Sequence, residues 1–552
     1  MVHTALCVLY FAVLMGLSAF SLHRLHLVIL CRKNRAKIKS AQIVAPIGEH
    51  ELPKVTIQLP LFNESTVAIR LLRAVAKVDY PADKLEIQVL DDSTDETVDM
   101  TRREVERLAA TGLDVVYIHR TNRVGYKAGA LDEGLKVAKG ELVAIFDADF
   151  LPQPDFVRSI VAHFKDPKVG MVQTRWGHLN RDYSVLTKVQ ALMLDGHHLV
   201  ENRARFGSGL LFNFSGTGGM WRKDAIHGAG GWQHDTLTED LDLSYRAQLA
   251  GWKFIYREDV VSPSELPEDI SALRAQQFRW GKGTVQTARK LLGRVLRSDV
   301  SLAQKVEAVF HMTPHFAYPL LVMLSILVLP ALVLMPATSV RMMVLVDLPL
   351  CMATTGSLAA FYMLAESSQG RSRRGALLKL PMLIAIGTGL APHLSSAVWD
   401  GLRSMAGEFV RTPKQGNDKT RYKAAMKLPY VEAALALWSA AGVVASCYTG
   451  HYFAAPFSFL FMMGYAYVTV LLTREQIARS NATSRPETEM VPGLLEPVLA
   501  GLRNVGAASP SGVRFDDQRT SDITDLRVSD VPESGEIGEI GEIGGSDEAV
   551  AA

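Results

Sequence analysis

The chain has 552 residues, 48% of them hydrophobic, with 59 Lys and Arg against 57 Asp and Glu for a formal charge of +2. That length predicts more than one domain, and the apolar content excludes a largely disordered chain. The near-neutral sum hides an asymmetry: residues 481–552 hold five Arg against fourteen acids, so the preceding 480 residues carry +11. Much of that excess sits beside apolar segments, which reads as membrane topology and not as a nucleic-acid-binding face.

The first apolar run, residues 5–30, is interrupted only by His23, Arg24 and His26. It exceeds a signal-peptide core and suffices for a span of about 20 residues, so residues 1–31 are read as an N-terminal transmembrane helix. Arg32, Lys33, Arg35, Lys37 and Lys39 follow and place what comes next in the cytoplasm. Residues 50–300 read as soluble α/β. Strands are expected at 55–59, 87–90 and 142–146, and helices at 67–78, 97–109 and 127–138. This alternation predicts a parallel doubly wound sheet, whose ligands bind at the carboxyl ends of the strands.

Membrane segments resume over 301–475, with spans expected at 313–335 and 342–364. The run 376–399 contains a Gly387-Thr388-Gly389 breaker and Pro392, and residues 400–427 hold seven Lys and Arg against three acids. Residues 376–407 are therefore read as a re-entrant or interfacial helix pair that returns to the cytoplasm. A final hairpin is expected at 428–447 and 452–472. Residues 480–552, rich in Pro, Ser, Gly and acids and containing GEIGEIGEI, read as a disordered acidic tail. Cys7, Cys31, Cys351 and Cys447 lie in or beside apolar stretches with no CxxC pair, which argues against a zinc ribbon or a disulfide framework.

Four motifs carry chemistry. Asp91-Asp92-Ser93 closes one expected strand and Asp147-Ala148-Asp149 another. A D-x-D at a strand end puts hard carboxylate oxygens near one point, which suits Mg²⁺ or Mn²⁺ bridging a diphosphate. Asp is also a common helix N-cap, so it is the two acidic strand ends together that point to the metal. Thr238-Glu239-Asp240 opens an expected helix at 241–250; a carboxylate there can act as general base or simply cap the helix. In Gln276-Gln277-Phe278-Arg279-Trp280, an Arg can grip a diphosphate and a Trp face can stack on a sugar ring, while the same residues suit a helix lying on a membrane. His197 and His198, adjacent on an expected helix, point in different directions and do not make a metal pair. His119 and Arg120 read as the end of a strand.

The order DD, DxD, TED, QxxRW in a cytosolic domain bracketed by membrane helices resembles the processive family 2 glycosyltransferases of the cellulose synthase superfamily, and within it the cellulose-synthase-like A group of β-mannan and glucomannan synthases. The stretches QLPLFNE (58–64), LDDSTD (90–95), NRVGYKAGAL (122–131), FDADFLP (146–152), FSGTGGMWR (214–222), TEDLDLSYRAQLAGWK (238–253), SELP (264–267) and QQFRW (276–280) carry the likeness. It implies an α/β fold: a cytosolic GT-A-type doubly wound glycosyltransferase domain plus an α-helical multi-pass membrane domain. It implies that Asp91, Asp92 and Lys127 contact the nucleotide, with Asp91 joining Asp240 in catalysis, and that Asp147 and Asp149 hold Mg²⁺ or Mn²⁺ and the donor diphosphate. Asp240 is then the base, Gln276 and Arg279 bind donor, and Trp280 and Glu239 face the acceptor. Residues 409–416 resemble the family's FxVTxK gating loop through Phe409, Thr412 and Lys414, with Arg411 in place of the usual Val.

The activity implied is inverting transfer of hexose from GDP-mannose or UDP-glucose onto a growing β-linked polysaccharide, with passage of the chain across a lipid bilayer. Two alternatives stand beside it: transfer of one sugar to a lipid, as in glucosylceramide synthases, and an inactive translocation subunit. The motifs bind a diphosphate and fix neither base nor sugar. The short loops and the tail read as a bacterial inner-membrane protein with a cytoplasmic catalytic domain, a Golgi membrane being the eukaryotic counterpart. No nucleic-acid partner is expected, and the oligomeric state is not legible.

Overall fold

The computed structural model describes residues 2–334, 348–405, 407, 428–452 and 454–483. The expected gating-loop residues Phe409, Thr412 and Lys414 lie outside them, as does the chain from 484 on. The strands are β1 Val55–Leu61, β2 Leu85–Asp91, β3 Asp114–His119, β4 Leu142–Ile145, β5 Val169–His178, β6 Gly219–Arg222 and β7 Lys253–Ser264. The helices up to residue 312 are α1 Val2–Lys33, α2 Arg35–Ala41, α3 Ala68–Val75, α4 Thr97–Ala109, α5 Tyr126–Val137, α6 Phe156–Val161, α7 Val185–Gly196, α8 Arg203–Ser208, α9 Lys223–Gly228, α10 Glu239–Leu249, α11 Ile270–Arg297 and α12 Leu302–Met312. After them come α13 Ala317–Leu334, α14 Leu348–Ser367, α15 Arg373–Arg403, α16 Tyr430–Tyr448 and α17 Ala455–Thr483.

The seven strands form one sheet in the order β3-β2-β1-β4-β6-β5-β7. β1 and β2 read VTIQLPL and LEIQVLD and are covered on both faces; Val55, Ile57, Leu59, Leu85, Ile87 and Val89 alternate with residues that include Thr56, Gln58, Glu86 and Gln88, so one buried face is apolar and the other carries polar side chains. Their internal polar groups are paired across the two strands: Thr56 Oγ1 donates to Glu86 Oε2 at 2.6 Å and Gln58 Nε2 to Gln88 Oε1 at 3.0 Å, as burial demands. One face packs on α3, which buries Ala68, Leu71, Leu72 and Val75 at helical spacing, and the other on α5 through Ala128, Leu131 and Leu135.

The α/β expectation holds, but the sheet is mixed and not wholly parallel. β3, β2, β1 and β4 run parallel, whereas β6 is antiparallel to both β4 and β5, and β5 is parallel to β7. The reversal is made by the turn before β6, where Gly216 and Gly218 take positive φ. The expected helix at 185–205 is α7 running through a π-type turn, His197–Asn202, into α8. His197 pairs with Glu201 at 3.0 Å while His198 is buried 5.1 Å from the Trp176 ring, so the two histidines do diverge.

Among the described residues five helices are long and apolar enough to cross a membrane by length and composition: Thr4–Lys33, Pro314–Leu334, Arg373–Arg403, Tyr430–Tyr448 and Ala455–Asn481. α14 takes up the span expected at 342–364 from Leu348 on, and residues 342–347 lie outside the described ones. The expected break inside 376–407 is corrected: α15 is one helix of 31 residues that runs through Gly387-Thr388-Gly389 with Pro381 and Pro392 inside it. Gly389 serves close packing, since the Gly464 backbone of α17 lies directly against it, and neighbouring helices let prolines persist in apolar helices.

α15 is tied near its start to α14 and at its far end to α11. Near its start Lys379 pairs at 3.2 Å with Glu366, which also accepts from Arg181 Nη1 at 3.1 Å. At its far end Lys282 pairs with Asp400 at 2.8 Å, Arg289 donates to the Gly401 carbonyl at 2.9 Å and Gln286 to the Ser404 carbonyl at 3.0 Å.

Candidate active site

A pocket opens over the carboxyl ends of β1, β2 and β4, and residues far apart in sequence converge on it. Asp92, Lys127, Asp147, Asp149, Glu239, Asp240, Gln276, Arg279 and Trp280 all line it. β4 is buried at every position and is followed by the buried Phe146, after which come Asp147-Ala148-Asp149. The Asp147 amide donates to Thr217 Oγ1 at 2.9 Å, which joins this turn to the one before β6. Lys127, in the first turn of α5, forms an ion pair with Asp147 and donates to the Gly216 carbonyl at 2.9 Å.

Gly216 shows how tightly these groups pack. Its φ is +83°, and a Cβ there would stand 3.0 Å from Asp240 Oδ2 and 3.6 Å from Lys127 Nζ. Only glycine combines that backbone with that approach.

Glu239 and Asp240 open α10, and Asp240 Oδ1 accepts from the Leu241 amide at 2.8 Å. Burial, followed by the neighbouring Glu239 carboxylate, pushes the Asp240 pKa up; the Leu241 amide and Lys127 oppose this without cancelling it. Burial raises Glu239 as well, against the pull of Lys127 and Arg279. For Lys127 burial works against the cation, but Asp147, Glu239 and Asp240 outweigh it and its pKa rises. Lys127 thus stands as a cation whose charge Asp147, Glu239 and Asp240 favour.

α11 carries Gln276, Arg279 and Trp280 into the pocket. Its next turns grip the segment ahead of α10: Gln286 accepts from the Leu237 amide at 3.0 Å, and Thr287 and Thr238 hydroxyls meet at 3.1 Å. The same Gln286 reaches the end of α15, so the helix that presents Trp280 is fixed on both sides.

One expected residue is placed differently. Asp91 is fully buried and absent from the lining; it accepts from Tyr117 Oη at 2.6 Å and from the Ser93 amide at 2.9 Å. Asp92 is the member of the pair that lines the pocket. Arg120, read only as a strand end, clamps both Asp92 oxygens at 2.7 and 2.5 Å, a bidentate geometry.

Arg123, Phe62, Trp176 and Glu265 also line the pocket and carried no individual assignment. The Arg123 guanidinium lies 3.3 Å from the Phe62 ring centroid and 4.9 Å from that of Tyr126, a cation–π arrangement. Asn63, Arg123 and Tyr126 are the non-glycine residues with positive φ among the described residues. Each such conformation costs about 1–3 kcal/mol and persists where the surroundings impose it. Asn63 lies in the loop after β1, Arg123 in the loop before α5 and Tyr126 is the first residue of α5; Arg123 lines the pocket.

Residues 53–283 match the family described as glycosyltransferase like family 2. Glucomannan 4-beta-mannosyltransferase 1 of Oryza sativa subsp. japonica is 43% identical over 48% of this chain and 52% of its own length. Glucomannan 4-beta-mannosyltransferase 2 of Arabidopsis thaliana is 44% identical over 48% of this chain and 51% of its own length. The chain thus spans about half the length of these curated relatives. Both are plant proteins and give no support to the expected bacterial inner membrane. A solved mannosyltransferase of Pyrobaculum calidifontis, in complex with GDP-Man and Mn²⁺, aligns with a TM-score of 0.45 and 24% identity over 64% of this chain and 97% of its own. The segment that bears the pocket, residues 53–283, is a glycosyltransferase domain of the family 2 type.

Proposed function

We propose that the protein is a membrane-embedded inverting β-glycosyltransferase that adds hexose from GDP-mannose or UDP-glucose to a growing mannan- or glucomannan-like chain. The observation that carries this reading is the convergence of Lys127, Asp147, Asp149, Asp240, Arg279 and Trp280 on one pocket. The 43% and 44% identity to glucomannan 4-beta-mannosyltransferases supports the sugar class.

The donor set suits a divalent cation that arrives with substrate. Among the described residues no group of three or more His, Cys, Asp and Glu is placed to hold an ion. Asp147 and Asp149 offer two hard carboxylates that would hold Mg²⁺ or Mn²⁺. Such a cation would supply charge neutralisation for the departing diphosphate. Lys127, buried and held cationic, and Arg279 stand where that charge develops and stabilise it through preorganised electrostatics.

The Asp240 carboxylate takes the proton of the acceptor hydroxyl. The hydroxyl oxygen forms its bond to the anomeric carbon as the bond to the diphosphate breaks, and the diphosphate leaves with the electron pair. One displacement inverts an α-linked donor into a β-linked product. Trp280 offers an apolar face to the acceptor ring, and Gln276 a hydrogen-bonding amide.

Residues 376–407 are read as an interfacial element, a reading supported by the ties of Lys282, Arg289 and Gln286 of the catalytic region to the end of α15, with the catalytic domain on the cytoplasmic side and α1, α13, α14, α16 and α17 in the bilayer. The test uses the full chain in nanodiscs with Mg²⁺ or Mn²⁺ and radiolabelled GDP-mannose and UDP-glucose, separately and together. The reading predicts label in an ethanol-insoluble polymer. Label confined to an organic-extractable lipid would replace it with single-sugar transfer, and label in neither fraction would remove the enzymatic reading.

A further inference from the structure

α11 carries two stripes of side chains at helical spacing, and the mechanism above uses one of them. Gln276, Arg279 and Trp280 reach the pocket. On the same side Gly283 and Thr287 meet the segment ahead of α10, where a Cβ on Gly283 would stand 2.8 Å from the Thr238 amide nitrogen. The second stripe starts at Arg274 and returns every third or fourth residue, as one face of a helix does. Arg274 pairs with Glu432 of α16 at 3.2 Å, and the Phe278 ring lies 5.1 Å from that of His393 in α15. Lys282 and Arg289 then reach Asp400 and the Gly401 carbonyl. α11 thus lies between the pocket and the membrane-side helices.

The two halves of this helix are held differently. Residues 281–288 are all buried, and close packing fixes them: a Cβ on Gly281 would stand 3.5 Å from Ala397 Cβ, and one on Gly401 2.9 Å from Val285 Cβ. Residues 274–280, which include every pocket residue of α11, are partly exposed. Ahead of them Ile270 and Leu273 pack into an apolar core, and Ser271 donates its amide to Glu475 Oε2 of α17 at 3.2 Å. Between that core and Gly281, the Arg274–Glu432 pair and the Phe278–His393 contact fasten α11 to the membrane side.

The Arg274 side chain is 16% exposed and that of Glu432 5%. A buried ion pair is a poor source of net stability, because both charges lose their water, but it is directional and costly to break from one side. This one stands five residues, about 7.5 Å along the axis, ahead of Arg279. It lies on the face turned away from the pocket, and neither member lines the pocket.

We propose that Arg274 and Glu432 are positioning residues whose pair sets the rotation of α11 and so holds the Arg279 guanidinium where charge develops on the departing diphosphate. The role rests on the glycosyl-transfer reading of the pocket.

The test uses the full chain in nanodiscs with GDP-mannose and UDP-glucose as donors. It compares wild type with Arg274→Gln, Glu432→Gln, the exchanged pair Arg274→Glu with Glu432→Arg, and Arg279→Gln alone and combined with Arg274→Gln. Turnover is taken per folded protein, below the lowest melting temperature of the set. Arg274→Gln and Glu432→Gln are each expected to lower kcat about tenfold with donor KM within about twofold of wild type, as for an interaction realised in the transition state. The exchanged pair should bring kcat back to within about threefold. With Arg279 already replaced, Arg274→Gln should lower kcat by less than a further twofold or so, because a residue that acts through Arg279 then has nothing to position.

A merely structural pair would lower the melting temperature and leave kcat per folded protein within about twofold, and that result overturns the proposal. An equal kcat loss with and without Arg279 overturns it as well, since the two residues then act independently, and so does an exchanged pair no better than the single variants. Should Arg274→Gln fail to fold, Glu432→Gln and the exchanged pair carry the comparison. Should the wild type transfer no sugar from either donor, the functional reading itself fails and the positioning role falls with it.

Discussion

On the β3-β2-β1-β4 side of the sheet, the pocket groups stand at strand ends whose backbones are locked into parallel ladders. Asp92, Asp147 and Asp149 inherit their positions from the core itself. On the β6-β5-β7 side, Glu239, Asp240, Gln276, Arg279 and Trp280 stand on helices, and those helices are held by side chains: Gln286 and Thr287 to the start of α10, Lys282 and Arg289 to the end of α15. Under the proposed function the first side holds the donor and the second performs the transfer. The difference teaches that donor binding belongs to the rigid sheet, whereas the base and the acceptor face belong to a joint that also touches the membrane-side helices.

Substitutions should separate the two sides. Asp240→Asn has the largest expected effect: sugar transfer falls by about a thousandfold, while donor affinity, read by equilibrium binding, stays within about threefold of wild type. An Asn variant with near-normal turnover would move the base elsewhere. Because the Asp240 pKa is raised by burial and by Glu239, its basic form is lost as pH falls through a value above the ordinary aspartate range of about 4. The acid limb of the pH–rate profile should lie there, and a limb near 4 would show that a different carboxylate is limiting.

Chelation of divalent cations tests the donor side. Transfer should drop by at least about a hundredfold and return with Mg²⁺ or Mn²⁺, and Asp149→Asn should raise the cation concentration needed for half-maximal rate. Gly216→Ala strikes where the sides meet, forcing a Cβ towards Asp240 at an unfavourable φ. Turnover should fall by about tenfold with a modest loss of melting temperature; unchanged turnover would mean that the turn relaxes freely. Asp400→Asn is expected to be mildest. The pair with Lys282 is half open to solvent on the Asp side, so kcat should fall only by about two- to threefold, with donor KM unchanged. A donor-affinity loss there would break the division between the two sides.

The parts legible in the sequence are those where a change of hydrophobic pattern coincides with a chemical motif. The strand LVAIF followed by Asp147-Ala148-Asp149 is one, and Thr238-Glu239-Asp240 ahead of α10 is another. The orientation of the Asp91-Asp92 pair was not legible. Adjacent residues at a strand end face opposite sides, and both faces of β2 are buried, so its alternation of apolar and polar residues does not reveal which aspartate reaches the pocket. β6 was missed because four residues are too few to show a period, and Trp176 with it because β5 was never marked as a strand. Glycine and proline in 376–407 read as breakers, although in α15 the glycine is where another helix approaches. Arg120 and Glu265 lacked any local signal, since each is defined by a partner distant in sequence, Asp92 in one case and Arg70 in the other.

The central claim, a single displacement driven by the Asp240 carboxylate, is tested most directly by the anomeric configuration of the first bond the full chain forms from an α-linked nucleotide sugar, read by NMR of the product. The account predicts a β linkage and no sugar attached to the protein. An α linkage, or a sugar trapped covalently on the protein, would contradict it.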